Sequence, residues 1–245
     1  MSSELGSSSF TLSMIKLSNL PEGITIQNNN NIVTAASDGK INDDVKISVT
    51  NLDTIDNLET GVNLEFSKGA IFEDQNGNSL TGDLSFNTTY YNPSDARAIN
   101  ALPEKLLENV NDSAIVVLGA AEINITDASG NRFKGSVKKS TISKKNTGDY
   151  IVGFILNSNT YRELQQLLRL AYISPTTAER IILYKTPEVS QLPNGRVELR
   201  YLLNTSLFRN MALVYFSEQP CNTSLTINRN GNQGRLGIDI TEKGF

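Results

Sequence analysis

The chain is 245 residues long, 38% hydrophobic and 20% charged, with a formal net charge of -4 and no histidine. Such a length and apolar content suit a globular protein with a real core, arranged as one large β domain or two of ordinary size. The charge disfavours a general nucleic-acid binder, which needs clustered cations to neutralise phosphate, and the missing histidine excludes Ser-His-Asp and Cys-His catalysis within the chain.

From the start, Met1 to Ser9 reads as a flexible polar leader. The alternation of Phe10, Leu12 and Met14, followed by Ile15 and Leu17, predicts a strand stopped by Pro21-Glu22-Gly23. Ile24-Thr25-Ile26 and Ile32-Val33-Thr34 flank a run of asparagine, a residue that favours turns over strand or helix interiors. Ser37-Asp38-Gly39 is a hairpin signal, and Val45 to Thr50 and Val62 to Phe66 alternate as half-buried strands do.

The segment Gly69 to Phe86 reads as strand, tight turn, strand, with Asn76-Gly77 supplying a primed turn. Its turn recurs: Asp74 to Gly82 and Asp127 to Gly135 both fit Asp-x-x-Gly-Asn-x-(Leu/Phe)-x-Gly, and Asn228 to Asn232 is a looser third copy. A repeated hairpin argues for an antiparallel β-sandwich. Between the first two copies, Ser94 or Asp95 caps a short helix, Pro103 restarts it, and Leu106 and Leu107 form its apolar face. Ala114 to Leu118 is a buried strand, and the lysine-rich stretch Lys134 to Lys145 an exposed strand or loop.

After Asn146-Thr147-Gly148-Asp149 the texture changes, which predicts a sandwich domain over 10–148 and a second β-rich domain over 149–245. Tyr150 to Leu156 is an apolar strand. Thr160 to Glu163 has capping-box spacing, and Leu164, Leu167, Leu168 and Ala171 make one face of an amphipathic helix. Ser174-Pro175 opens a short helix or turn running to Arg180. Ile181 to Tyr184, Val197 to Leu202, Met211 to Phe216, Leu225 to Ile227 and Leu236 to Ile240 are strands, with Asn194-Gly195 a further hairpin turn. The fold class is therefore mainly β, with one or two short helices inserted.

Little in the sequence carries reaction chemistry. Cys221 is the one cysteine, so neither an internal disulfide nor a Cys-x-x-Cys site exists in the chain. Asp74, Asn76 and Asn78 match the opening of a calcium loop, but Ser79 and Ser85 stand where glycine and glutamate are needed, so turn chemistry is the better reading. Ser136 to Lys139 matches Ser-x-x-Lys in a stretch that looks extended, where the pair cannot meet. Glu73 with Asp74 and Asp43 with Asp44 are adjacent on strands and point to opposite faces, which does not suit glycoside hydrolysis. No catalytic residue, metal ligand or cofactor is expected. No apolar run is long enough for a membrane helix. Asn-x-Ser/Thr triplets begin at Asn87, Asn111, Asn124, Asn204 and Asn222, a number chance supplies in so Asn-, Ser- and Thr-rich a chain. The candidate ligand contacts are Tyr90 and Tyr91, able to stack on a sugar or to pack against a helix, and Lys138 and Lys139, able to attract an anionic surface or to protect a sheet edge.

The stretch Phe66 to Gly82, followed by Gly119 to Asn131, resembles hairpins in exported, often lipid-anchored surface proteins of Bacteroidota-type bacteria, where they open carboxypeptidase-regulatory-like or transthyretin-like β-sandwiches. The resemblance covers roughly Val62 to Gly135; the proline pair of the pattern and a lipid-attachment cysteine near the start are not present. It implies an exported, non-catalytic binding or scaffolding module, with a protein or glycan of the cell surface as partner; the charge and the hydropathy add the expectation of no nucleic acid and no direct membrane insertion. Two alternatives stand beside it: a pilus or surface-array subunit that self-associates by strand exchange, and a carbohydrate- or calcium-binding module.

Overall fold

The computed structural model describes residues 20, 22–28, 33–52, 57–108, 113–134, 137–138, 150–174, 177–203, 209–217, 225–229 and 236–240. The strands are β1 (Ile24–Asn28), β2 (Val33–Ala35), β3 (Val45–Leu52), β4 (Glu59–Phe66), β5 (Ile71–Phe72), β6 (Gly82–Tyr91), β7 (Ala114–Asp127), β8 (Val137–Lys138), β9 (Tyr150–Asn157), β10 (Arg169–Ile173), β11 (Arg180–Leu183), β12 (Glu188–Leu192), β13 (Arg196–Leu203), β14 (Asn210–Ser217), β15 (Leu225–Arg229) and β16 (Leu236–Ile240). The helices are α1 (Ala96–Asn100), α2 (Glu104–Leu107) and α3 (Ser158–Leu164). The expected leader and the strand before Pro21 lie outside the described residues.

Two antiparallel sheets pack face to face as a β-sandwich. The larger runs β1-β6-β7-β14-β10-β11, with β2 also on β6; the smaller runs β12-β13-β9-β4-β3. β5 pairs with β8, and β15 with β16, as separate two-stranded ribbons. Alternation decides which residues enter the core. Tyr150, Val152, Phe154 and Leu156 of β9 face inward, opposite Phe86 and Tyr90 of β6 and Ile123 and Ile125 of β7.

The division into domains at residues 148 and 149 is not what forms. β9 pairs with β4, and β14 pairs with β7, so each sheet joins strands from both sides of that point. One hydrophobic cluster runs from Val33 to Leu213 across both sheets. The change of texture marks the passage onto a central strand buried from both faces, not onto a second core.

The outer face of the larger sheet is also covered. Tyr91, Ala120, Ala212, Ala171 and Ile182 are neighbours in register across β6, β7, β14, β10 and β11. The three alanines leave room for Leu106 of α2, which is fully buried there, with Leu102, Val117 and Val214 around it. An extra residue in β7 opposite the Leu213/Val214 step lets both Val117 and Ala120 point outward.

The helix expected through Ala171 stops at Leu164, and its cap is Asn157, whose side chain accepts from the Asn159 amide. Residues 169–173 are strand β10, with Leu168, Leu170 and Tyr172 turned to the main core and Ala171 and Ile173 to the helix-covered face. A strand buried on both sides shows apolar residues at helical spacings too, which is why periodicity misreads it. Likewise Arg180 belongs to β11 and not to a helix or turn.

The repeated turn is resolved as a three-residue hairpin loop with a glycine bulge, not the primed turn expected of Asn76-Gly77. Gly77 has φ 82 while Asn76 is not among the positive-φ residues. The Gly77 amide donates to Asp74 O at 3.1 Å and the Asp74 amide to Asn78 O at 2.8 Å; Gly130, Asp127 and Asn131 repeat this at 3.0 and 3.1 Å. The aspartate is the cause. Asp74 Oδ1 accepts from the amides of Asn76 and Asn78 and Oδ2 from Asn78 Nδ2; Asp127 accepts in the same way from Ser129 and Asn131. At Asn194 and Gly195 both residues do take positive φ, the pairing a primed turn needs.

Tyr201, on the inner face of β13, is fully buried, and its hydroxyl finds no partner among the described residues. Burial pushes that hydroxyl far above the ordinary tyrosine range. A buried hydroxyl without a partner contributes desolvation cost and no bond, so Tyr201→Phe is expected to leave stability unchanged or raise it by up to about 1 kcal/mol. Urea denaturation of the two proteins is the check, and a loss above about 1 kcal/mol would show that the hydroxyl is bonded.

Candidate functional site

Tyr90 and Tyr91, two of the four expected ligand contacts, do not share a surface. Tyr90 is fully buried in the main core, a correction to its reading as a surface platform. Neighbours on a strand face opposite ways, so Tyr91 turns to the other side of the sheet, packs against the helix-covered cluster and donates its hydroxyl to Glu122 Oε2 at 3.3 Å. Burial, and then Glu122, hold the Tyr91 hydroxyl far above its usual range. Lys138 takes part through its backbone in the β5–β8 ribbon, opposite Ile71, and Lys139 lies outside the described residues.

A polar cleft of about 420 Å³ opens instead where β1 begins and β3 and β6 end, between Glu22, Asn51, Leu52, Ser94, Asp95 and Arg97. Its floor is Asn92, only 1% exposed, at the end of β6. Asn92 Nδ2 donates to Asn51 Oδ1 at 2.9 Å and to Leu52 O at 3.3 Å. Its Oδ1 accepts from Ser94 N at 3.0 Å and Ser94 Oγ at 2.9 Å, a local turn that the following proline and serine favour. Asn51 Nδ2 in turn donates to Glu22 O and to Thr25 Oγ1, both at 2.8 Å. Two asparagine side chains thus tie the edge of the smaller sheet to the edge of the larger one.

Asp95 forms the wall. It caps α1 by accepting from the Arg97 amide at 2.8 Å, accepts from the Gly23 amide at 3.1 Å, and grips the Arg97 guanidinium at 3.1 and 2.9 Å. A Cβ at Gly23 would stand 2.3 Å from Asp95 Cβ, so only glycine allows this approach. The Arg97 hydrogen bonds, the Gly23 amide and the Arg97 charge hold the Asp95 carboxyl at about 2.

A depressed carboxyl stabilises the fold at pH values above its unfolded range and loses that contribution as pH falls through the folded value. Asp95→Asn is therefore expected to be less stable than the parent at pH 6, by no more than about 1 kcal/mol because its partner Arg97 is exposed, with the difference closing between about pH 4 and pH 2. Thermal unfolding of both proteins across that range measures it, and a gap independent of pH would contradict the assignment.

Several other charged groups pair on the sheet faces. On the smaller sheet Arg200 meets Glu65 at 3.1 Å and Arg196 meets Glu59 at 3.0 Å, while Glu198 reaches across Gly153 to accept from Asn63 at 2.8 Å. On the larger, Arg209 Nη2 donates to Glu122 at 3.2 Å and to Asn124 Oδ1 at 2.6 Å. The Asp74 and Asp127 carboxylates are taken up by their own turns. Among the described residues no group of three or more carboxylates and cysteines is placed to hold a metal ion, and no helix is long and apolar enough to cross a membrane.

Sequence reasoning placed the helix cap at Ser94 or Asp95 but passed over Asn51 and Asn92. Their only local signal is Asn92-Pro93-Ser94-Asp95; the partners sit 41 residues away in the chain, which no local pattern reveals. Comparison with known proteins finds no matching family model, curated protein or solved structure.

Proposed function

We propose that this chain is a non-catalytic binding module of a bacterial cell surface, and that it recognises a hydroxyl-bearing ligand, a glycan in the first instance, at the cleft between Asn51, Asn92 and Arg97. The observation that carries the reading is the cleft itself: a concave, polar opening at the rim of a rigid sandwich, with its floor fixed by the Asn51–Asn92 bond of 2.9 Å. Its volume of about 420 Å³ suits a small ligand or one or two sugar rings. Loops held by a rigid scaffold are where recognition concentrates. Leu52, 51% exposed at the rim, offers an apolar contact beside amide, hydroxyl and guanidinium groups, the mixture that a sugar's faces and hydroxyls require. Export to the surface rests on the resemblance of the Phe66–Gly82 and Gly119–Asn131 segments to surface-protein hairpins.

The test is a glycan array probed with the whole chain and with Arg97→Ala, alongside fractionation of cells producing the native protein. Hits that weaken about tenfold or more in the variant, together with protein in the envelope fraction, support the reading. Hits indifferent to Arg97, a blank array, or protein confined to the cytoplasm overturn it.

A further inference from the structure

We propose that the outer edge of β11 is a homodimer contact, on which the same strand of a second copy pairs antiparallel about a twofold axis at Ile182. β11 is the last strand of the larger sheet, paired with β10 on one side only among the described residues. An unpaired edge is a template for another strand unless prolines, charges or bulges blunt it. β12, the facing edge of the smaller sheet, is blunted: it has five residues, begins with Glu188 and lies between Pro187 and Pro193. At the far side of the sandwich Asn51 of edge strand β3 is already tied to Glu22 and Thr25. β11 is also short and begins with Arg180, but no proline stands between Thr176 and Thr186, and its Ile181 is 37% exposed, with Tyr184 just beyond it at 77%.

What points to a second copy of this chain is the segment's own order of residues, Glu179-Arg180-Ile181-Ile182-Leu183-Tyr184-Lys185. An antiparallel pair centred on Ile182 sets Ile182 against its symmetry mate, Ile181 against Leu183, Arg180 against Tyr184 and Glu179 against Lys185. Every opposed pair is then either apolar, cation on aromatic, or opposite in charge, and the twofold forms each of the last three pairs twice. The faces agree as well. Ile181 and Leu183 stand opposite Tyr172 and Leu170, which face the main core, so that core continues across the axis. Ile182 stands opposite Ala171 and extends the outer row that begins at Tyr91. No comparable match arises in β12, where centring on Ser190 opposes Glu188 to Leu192 and Val189 to Gln191.

The flanking side chains are held in place by contacts within the protomer. The Tyr184 ring is held from below by Arg169, whose guanidinium carbon lies 5.1 Å from the ring centroid. Arg180 is anchored on the carbonyls of Lys105 and Glu108 at the end of α2. Lys185 rests its ammonium on the Leu202 carbonyl, an exposed contact that it can exchange for a carboxylate.

Charge exchange tests this without disturbing the core, because Glu179 and Lys185 are both exposed. Sedimentation velocity of the whole chain, from about 1 µM to about 1 mM, is expected to show a monomer–dimer equilibrium. Glu179→Lys alone and Lys185→Glu alone each turn two attractive pairs into repulsive ones and are expected to weaken the dimer on the order of tenfold. The double exchange is expected to restore it, and an equimolar mixture of the two single variants to form heterodimers. Monomer at every concentration, or a dimer that ignores all three variants, overturns the proposal. A dimer abolished by Arg97→Ala would place the contact at the cleft instead and equally overturn it. The dimer contact and the ligand reading stand on different residues, so either can fail alone.

Discussion

Replacing Phe72 with alanine is expected to lower stability by about 3–5 kcal/mol, the cost of truncating a fully buried phenylalanine. Phe72 is fully buried and meets three other rings edge-on: Phe66 at 5.3 Å, Phe86 at 5.5 Å and Phe133 at 5.6 Å between centroids. Phe66 belongs to the smaller sheet and Phe86 to the larger, so Phe72 is the plug between them. It reaches that place on a strand of only two residues, held by the Leu80 amide bonding to Phe72 O at 2.8 Å. So short an element cannot collapse into the vacated space by itself, which puts the cost at the upper part of the range. Against a total of about 5–15 kcal/mol for a domain, the variant would sit near the unfolding threshold. Phe72→Leu, which keeps most of the volume, is expected to cost about 1–2 kcal/mol. Urea denaturation read by near-ultraviolet dichroism measures both; a loss below about 1 kcal/mol for the alanine variant would mean that the aromatic cluster is not what closes the sandwich.

The same cluster explains what the repeated motif is for. The apolar position of Asp-x-x-Gly-Asn-x-(Leu/Phe) is Leu80 in one copy and Phe133 in the other, exposed by only 1% and 2%. In each copy its amide bonds back to the residue two before the aspartate, Leu80 to Phe72 and Phe133 to Ile125, both at 2.8 Å. The repeat is therefore a device for returning an apolar side chain to the core after a tight loop. That much was legible, because turn chemistry and strand alternation act over a few residues. The turn's class was misread, because the dipeptide Asn76-Gly77 favours a primed turn by itself while Asp74 outweighs it with three accepted hydrogen bonds.

Nonlocal pairing was the part that the sequence hid. β9 alternates in plain sight, but nothing within Tyr150 to Asn157 says that its partners are Gly61 to Phe66 on one side and Arg196 to Leu203 on the other. Hence one sandwich was read as a sandwich followed by a second β-rich domain. The ribbon of small residues Ala120, Ala171 and Ala212 likewise acquires meaning only once β7, β14 and β10 lie side by side under Leu106. The cleft follows the same rule. Asn51, Asn92 and Gly23 look like ordinary turn residues until β1, β3 and β6 bring them together, whereas Tyr90-Tyr91 looks like a platform until the strand sends one ring into the core.

Gly61→Ala is expected to be the second costly change, at about 1–3 kcal/mol, although alanine normally suits a strand better than glycine. Gly61 lies between Thr50 of β3 and Ile155 of β9. A Cβ built there would stand 2.3 Å from the Val49 carbonyl oxygen and 3.0 Å from Thr50 Cα, both backbone atoms of a paired strand. Relief requires β3 to move away from β4, which also strains the Asn51–Asn92 bond at the cleft. Gly153→Ala is the informative contrast. Its Cβ would stand 2.2 Å from Glu198 Oε1, nominally as severe, but that atom ends a flexible side chain. Glu198 can rotate into solvent and give up its bond to Asn63, a loss of about 1 kcal/mol or less. Truncating Glu198 should then make Gly153→Ala nearly neutral, whereas Thr50→Ala should not rescue Gly61→Ala, because the Val49 oxygen stays where it is. Thermal and urea unfolding of the two pairs distinguish these outcomes, and equal costs at Gly61 and Gly153 would show that β3 yields as easily as a side chain does.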